Sequence, residues 1–508
     1  MATAIAAHFQ NFLSICLLPE TSVLRFFVGC IPGFACPQHA RARNGPFFTV
    51  GRISSVARLL RAKNALDVFI MHYAFLIDNN KFGIRGSALS VAVRPGEKCM
   101  KNGVIAGKTV VELGSMIAAP YGAHLLNQLG ADVIKIEPPT GDTTRKLVRG
   151  GPSGSFVAFN RGKRSLCLDM MSEAGSDAFR TLVARADIVL HNLSPSAARK
   201  LGVTFAGCNT INPDIIFCHI KGYGAGPLQE QVASNPIAEA ATGVMYYNRP
   251  DGRPARLGPS YHDQFAGCYA AIAILAALQS DRSEERRNIE IGLYETGLHI
   301  AARDLMGVQL KSQLLGRPEQ EPSAEFSIPG YGAYETQDGR WIYLVMLTDD
   351  HWRKFGTATG LSPDPELATL RQRRARRQDV EQIVGALVAG FEFDMLVEKL
   401  IAAGVGHTEV LPLDRVLDAP QARAGEKLSD FDFAGYRFQT PELPLGPLLC
   451  DVAASLPPPL LGEHSTQIMQ ELGFSVDRIA EVVHQGAAVE ADLAAPLWAK
   501  PRKGKAVR

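Results

Sequence analysis

The stretch TVVELGSMIAAPYGAHLLNQLGADVIKIE, residues 109–137, decides the fold. TVVELG is apolar and β-branched around one glutamate, the composition of a short strand. PYGAHLLNQLG then reads as a helix opened by Pro120 and closed by Gly130. Proline fits a first helical turn, and glycine takes the left-handed conformation past a last one. ADVIKIE returns to strand. Strand, helix and strand in so short a span make a βαβ unit, whose two strands must run parallel.

Outward from this unit the alternation continues. RSLCLDM (164–170) reads as a strand, EAGSDAFRTLVARA (173–186) as a helix, and DIVLHN (187–192) and DIIFCHI (214–220) as further strands. In PSYHDQFAGCYAAIAILAALQ (259–279) an apolar helix follows Asp263, and after it come the strand RNIEIGLYE (287–295) and a helical pattern to about Leu315. The fold class expected is α/β: a Rossmann-like, mostly parallel large domain with ligands at the carboxyl ends of its strands. GRPEQEPS (316–323) has linker composition. Beyond it, GAYETQDGRWIYLVML predicts a hairpin turning at Asp338 and Gly339, and DVEQIVGALVAGF and FDMLVEKLIAAG predict helices. The expected division is a large domain over 100–315, a linker and smaller α+β domain over 316–412, a return to the large domain over 413–485, and a disordered tail, 486–508.

The chain has 508 residues, 46% hydrophobic, ample for more than one core. Its net charge of +2 conceals an asymmetry: residues 1–99 hold 11 Lys or Arg against 4 Asp or Glu, and residues 100–508 hold 42 against 47. The mildly acidic body gives no reason to expect nucleic acid or a membrane as partner. No apolar run approaches the roughly 20 residues that span a bilayer. The nine cysteines are scattered without CxxC or metal-ligand spacing, which points to reduced thiols, a cytoplasmic setting and no metal. The basic leader, with its acid-poor ARARNGPFFTVGRISSVARLLRAKN, has some of the composition of an organelle transit peptide. Glu20 and the missing amphipathic period count against that, and residues 1–99 are expected to lie outside the catalytic fold.

Three basic turns follow predicted secondary structure: PPTGDTTRKLVRGG (138–151) with Arg145, Lys146 and Arg149; FNRGKRSLCLD (159–169) with Arg161, Lys163 and Arg164; and HNLSPSAARKLGV (191–203) with Asn192, Arg199 and Lys200. One such turn is usually a solvated loop. Three beside strand ends favour a large polyanionic ligand. No GxGxxG follows the first strand and no GxxxxGK[ST] occurs anywhere, so NAD and ATP are poor candidates. The remaining chemistry sits in PSYHDQFAG, where Asp263 precedes a run of small apolar residues. An aspartate there is ordinarily a helix cap, contributing about 1 kcal/mol.

At this point VVELGSMIAAPYGAHLLNQLGADVIKIEPPTGD, NRGKRSLCLDM, ADIVLHN, NPDIIFCHIKGYGAGP, HDQFAGCYAAIAILAAL and PPLLGEHSTQIMQELG, in this order, resemble the successive motifs of the class III CoA transferases. The resemblance covers about residues 100–473. It implies an interlocked, ring-like homodimer, and an acyl-CoA and a carboxylic acid as substrates, with coenzyme A part of the substrates and no tightly bound cofactor. It also implies Asp263 as the nucleophile, attacking a thioester to give an aspartyl anhydride and then an aspartyl-CoA thioester. Backbone N–H groups at the helix start near Asp263 would serve the oxyanion of each step. Carried over residue by residue, the CoA contacts are Met116, Ile117, Leu168, Asp169, Asn192 and Lys200, with Arg145 and Arg164 as phosphate candidates from the basic turns.

The acyl-CoA racemases of the same superfamily use a His-Asp pair, and here Ser234 and Asn235 stand at those positions, which favours transfer over racemisation. A CoA-binding protein without turnover is the other alternative. Glu239 stands where many members have Gln, and His262 and His407 border the same segments; whether any of the three meets substrate is open on sequence alone.

Overall fold

The computed structural model describes residues 103–489 apart from 149–150, 282, 317–327, 426–427 and 450–455. All of these belong to one compact unit, Gly96–Arg508. The leader, Arg149, most of the linker run and nearly all of the tail lie outside the described residues.

Strand β1 (Thr109–Leu113) is the centre of a seven-stranded sheet. β2 (Asp132–Glu137) and β3 (Arg164–Leu168) lie on one side of it, and β4 (Ile188–His191), β5 (Ile216–Lys221) and β6 (Asn288–Gly292) on the other. These six strands are parallel, with Thr109 opposite Asp132 and Val110 opposite Ile188. A two-residue strand at 488–489 pairs antiparallel with the β3 edge. The chain winds outward from β1 in one direction, returns, and winds outward in the other, so a switch point falls between β1 and β4. In such sheets the crevice outside the strand ends at that point is where ligands bind.

Both faces are covered, which is why β1 reads as almost continuously apolar rather than alternating. Val110, Val133, Ile188, Leu190 and Ile216 pack under helix α1 (Ala118–Gln128) and the long helix described below. Val111, Leu113, Ile134, Ile136 and Leu166 pack under α2 (Glu173–Val183). Ile468, Met469, Ile479 and Val482, from the two helices near the carboxyl end (Ser465–Glu471 and Val476–His484), close the second face. Helix α3 (Pro195–Lys200) follows β4, α4 (Asn235–Ala241) follows β5, and α5 (Tyr261–Gln279) leads towards β6.

Three boundaries differ from the sequence expectation. Helix α1 starts at Ala118, two residues before Pro120, because two alanines extend a helix readily and a proline in the first turn lacks only an N–H that has no partner there. RNIEIGLYE is not all strand: after Gly292 the chain enters helix α6 (Leu293–Ile300), and α7 (Ala302–Leu315) follows. Asp263 does not precede its helix. α5 begins at Tyr261, and Asp263 is its third residue.

The predicted hairpin is present as Gly332–Glu335 and Trp341–Val345, with Gly339 in the left-handed conformation at its turn. Gly406–Glu409 adds a third strand, and three helices (Asp349–Thr359, Arg377–Val388 and Phe393–Ala403) enclose a separate core around Ile342, Leu344, Phe355, Val384 and Leu396. A hairpin at Leu428–Phe433 and Tyr436–Pro441 completes the described antiparallel elements.

Candidate active site

At the switch point the loop after β1 is held by the residue after β4. The Ser115 N–H donates to Asn192 Oδ1 (2.9 Å), and Asn192 Nδ2 donates to the Ser115 carbonyl (2.8 Å). Met116 follows with φ of 66°, a left-handed conformation that a non-glycine residue adopts at a cost of about 1 kcal/mol or more. Its side chain is 43% exposed. Ile117 then occupies the cap position of α1 and supplies no side-chain acceptor, so among the described residues the first N–H groups of that helix have no cap, as an anion-binding helix start requires.

Beneath this loop lies a buried ion network assembled from all of the first motifs. Glu112 takes Lys135 on one oxygen (3.0 Å) and Lys163 on the other (2.6 Å), and all three side chains are wholly buried. Lys135 also reaches Asp142 (3.1 Å) and the Gly114 carbonyl (2.6 Å); Lys163 reaches the Pro120 carbonyl (2.9 Å) and Asn160 (3.0 Å). Burial works against the Lys135 ammonium, but Glu112, Asp142 and Glu137 outweigh it and hold the group above its ordinary value. Burial pushes Lys163 down to about 8 against the pull of Glu112. Asp142 ties the network to the loop, since its carboxylate also accepts from the Ser115 hydroxyl (3.2 Å).

Helix α5 meets α1 backbone to backbone. A Cβ on Gly267 would lie 2.8 Å from the Ala118 carbonyl oxygen and 2.9 Å from the Gly122 nitrogen. Asp263 is one turn before Gly267, so this contact fixes it relative to the helix that the Met116 loop opens. The start of α5 is capped from outside. Asn235 Oδ1 accepts the N–H of His262 (2.9 Å) and that of Asp263 (3.4 Å), while Ser260, at the cap position, makes no side-chain bond. The ordinary capping role of an aspartate is therefore taken by another residue. Among the described residues the Asp263 carboxylate has no hydrogen-bond or ion-pair partner. Burial pushes it up to about 6, with Arg256 pulling the other way and Glu239 adding to the rise.

The same geometry corrects one expectation. The N–H groups of residues 261–264 are all engaged: Tyr261 with the Pro259 carbonyl, His262 and Asp263 with Asn235, Gln264 with the Ser260 carbonyl. None is left to stabilise an oxyanion.

Of the other residues singled out from sequence, Met116, Ile117, Leu168, Asp169 and Asn192 lie at the carboxyl ends of β1, β3 and β4. The Leu168 side chain is buried in the core, and Asp169 accepts the Met171 N–H (2.9 Å). Lys200 is exposed at the end of α3. Arg145 lies at the carboxyl end of β2, but its guanidinium is held by Glu137 (2.7 and 2.6 Å) and the Pro459 carbonyl (3.0 Å). Arg164 is not brought to the site. It is the first residue of β3, at the opposite end of the sheet, paired with Asp132 (2.6 Å) and Glu471 (3.0 Å).

The three basic turns thus act mainly as structure: Lys163 is buried under Glu112, Arg161 is buried against the Phe431 ring, and Arg199 pairs with Glu230 (2.7 Å). Lys146 and Lys200 remain exposed cations. Sequence reasoning missed the roles of Glu112, Lys135 and Asn235; charge inside apolar strands was a signal for the first two, and the capping by Asn235 had none. His262 is fully buried, its ring against Thr242 (3.3 Å) and against the space that a side chain on Gly297 would fill. Burial lowers its proton affinity. His407 Nδ1 donates to the Val405 carbonyl (2.8 Å) beside the small sheet. Among the described residues no cluster of His, Cys, Asp and Glu has the makings of a metal site, and no helix is long and apolar enough to cross a membrane.

A doubly wound sheet with a loop pinned at its switch point makes this an α/β protein with a ligand crevice at that point. The sequence model of CoA-transferase family III matches residues 105–465, and the chain belongs to that family. It is an acyl-CoA:carboxylate CoA-transferase. It is 28% identical over 392 residues to succinyl-CoA–D-citramalate CoA-transferase of Chloroflexus aurantiacus, a match covering 73% of this chain and 94% of the relative. It is 28% identical to human succinyl-CoA:glutarate CoA-transferase, covering 75% and 89%. It is 27% identical to formyl-CoA:oxalate CoA-transferase of Streptomyces avermitilis, covering 73% and 96%. In three dimensions it is similar to a CAIB/BAIF family protein of Brucella suis, with a TM-score of 0.65 at 28% identity over 73% of this chain and 100% of the other.

Proposed function

We propose that Asp263 is the nucleophile of a CoA transfer between two carboxylic acids. A carboxylate oxygen of Asp263 attacks the thioester carbonyl, the C–S bond breaks, and a mixed anhydride and CoA thiolate result. The thiolate attacks the aspartyl carbonyl, releasing the donor acid and leaving an aspartyl-CoA thioester. The acceptor carboxylate attacks that thioester, again expelling thiolate, which takes the acceptor acyl group and frees Asp263. The observation that carries this reading is the carboxylate itself: half-buried, without a bonding partner among the described residues, and kept from capping its own helix by Asn235.

CoA is proposed to enter as substrate rather than as a resident cofactor, with its polyanionic end near residues 115–117, Asn192 and Lys200. Three relatives are named for succinyl-CoA or formyl-CoA and a dicarboxylic acid, so succinyl-CoA with a panel of dicarboxylates is the first pairing to assay. The homodimer is likewise proposed. Leu305, Met306, Leu310 and Leu314 are exposed along α7, the kind of surface a second copy would cover. Light scattering on the purified protein reads the mass directly.

The test of the chemistry is replacement of Asp263 by Ala, together with hydroxylamine treatment during turnover. Transfer should vanish in the variant, and the wild-type protein should yield a hydroxamate at Asp263. Undiminished transfer without Asp263 would overturn the reading.

A further inference from the structure

Asn235 and Glu239 face each other one turn apart on α4, buried to 2% and 0% exposure. Every polar atom of the pair is engaged. Asn235 Nδ2 donates to Glu239 Oε1, Asn235 Oδ1 receives the two N–H groups at the start of α5, and Glu239 Oε2 receives the Leu257 N–H (3.2 Å). Glu239 has no ion-pair partner among the described residues. A buried carboxylate bonded only to neutral donors is expensive to keep. What it does that an amide would not is remove ambiguity. A carboxylate only accepts, so Asn235 must turn its NH2 towards residue 239 and its oxygen towards α5.

We propose that Asn235 and Glu239 are positioning residues for Asp263: Glu239 locks the amide of Asn235 so that a neutral oxygen caps α5, leaving the oxygens of Asp263 unbonded. This rests on the reading of Asp263 as nucleophile. Without the lock, those N–H groups would turn to the side-chain oxygens of their own helix, Ser260 at its cap position and Asp263 in its first turn. A carboxylate drawn into capping is a weaker base and a weaker nucleophile.

The groups around Asp263 leave the pair room to act. Arg256 and Glu239 are the charges that act on it. Helix α1 brings two titratable side chains: Tyr121, which burial and Cys268 push up, and His124, which burial keeps neutral with Arg161 and Lys163 reinforcing it. On α6, Glu295 is bonded to the Gly224 N–H (2.9 Å) and His299 to the Tyr269 hydroxyl (2.6 Å). On β5 and β6, His219 is held by the Leu193 carbonyl (2.9 Å), and Lys221 and Glu290 pair with each other (2.7 Å). His262, beside Asp263, faces Thr242.

The experiment compares wild type, Glu239→Gln, and the exchange Asn235→Asp with Glu239→Gln. Each is titrated by 13C NMR of aspartate-labelled protein, the Asp263 signal being the one missing from Asp263→Asn, and each is assayed for transfer across pH. In Glu239→Gln the amide nitrogen of Gln meets a donor, the lock fails, and the Asp263 midpoint falls by about one pH unit. kcat falls by ~10-fold or more while KM for the acyl-CoA stays within about threefold. In the exchange variant every donor again faces an acceptor, but the charge now sits against the start of α5, so the midpoint rises above that of wild type.

A wild-type midpoint and wild-type kcat in Glu239→Gln would overturn the proposal, as would an exchange variant whose midpoint matches wild type. If the single variant does not fold, the exchange variant decides alone. The NMR midpoint is read without turnover, so a wild-type protein that transfers no CoA would refute the nucleophile reading separately.

Discussion

Gly267 and Ala118 touch through backbone alone: a Cβ on Gly267 would stand 2.8 Å from the Ala118 carbonyl oxygen. That contact joins the helix of Asp263 to the helix opened by the Met116 loop, and no side chain can enter without parting them. Gly267→Ala should therefore destabilise the protein by about 1–3 kcal/mol. It should also lower kcat more than the stability loss explains, because the nucleophile moves with its helix. Urea unfolding and steady-state assays at a temperature where both proteins are folded separate the two effects. Wild-type kcat would detach the crossing from catalysis.

The ion network under the loop predicts a second outcome. Removing Glu112 leaves the ammonium groups of Lys135 and Lys163 facing each other in the interior with their shared partner gone. Glu112→Ala should lose about 3–5 kcal/mol, the range for a broken buried pair. The partly exposed Lys108–Asp187 pair (2.8 Å) at the other end of β1 serves as the control. Asp187→Ala should lose no more than about 1 kcal/mol. Equal losses in denaturant unfolding would mean that the network adds nothing beyond a surface pair.

These two cases mark what was legible in the sequence. The βαβ unit at 109–137 could be read because strand and helix periods differ and Pro120 and Gly130 punctuate them; both strands and the helix between them are where that reading put them, to within two residues. Asp263 could be singled out as a carboxylate at the head of an apolar helix. That Asn235 caps the helix could not, because the two residues meet only through the fold. The basic turns misled for a related reason. Sequence shows a cation but not its counter-charge, and Arg164 finds Asp132 and Glu471 at the far end of the sheet.

Arg256 supplies a third prediction. It is exposed, and its charge pulls the Asp263 carboxyl downward against the larger effect of burial. Arg256→Gln should raise the proton affinity of Asp263, moving the acid limb of kcat/KM to higher pH. A carboxylate acceptor would lose an attractive charge beside the nucleophile, so its KM should rise several-fold while that of the acyl-CoA changes less. An acid limb that stays in place would show that Arg256 does not act on Asp263 in solution.

The raised proton affinity of Asp263 ties stability to activity. Burial lifts its carboxyl from an ordinary value near 3.8 to about 6, so the folded protein holds this proton more tightly than the unfolded chain. The contribution of the group to stability is therefore fully present below about pH 4 and is lost as pH rises through about 6. Catalysis needs the opposite state: the nucleophile must be ionised, so kcat/KM should fall as pH drops below about 6. Asp263→Asn removes the ionisation while keeping the side chain's size. Its stability relative to wild type should be level at pH 4 and should rise to an advantage of about 1–3 kcal/mol by pH 8, while transfer is lost. Thermal unfolding of both proteins from pH 4 to pH 8 measures the difference. A difference that does not change with pH would mean that Asp263 titrates as an ordinary surface carboxylate, and the acid limb of activity would then have to belong to another group.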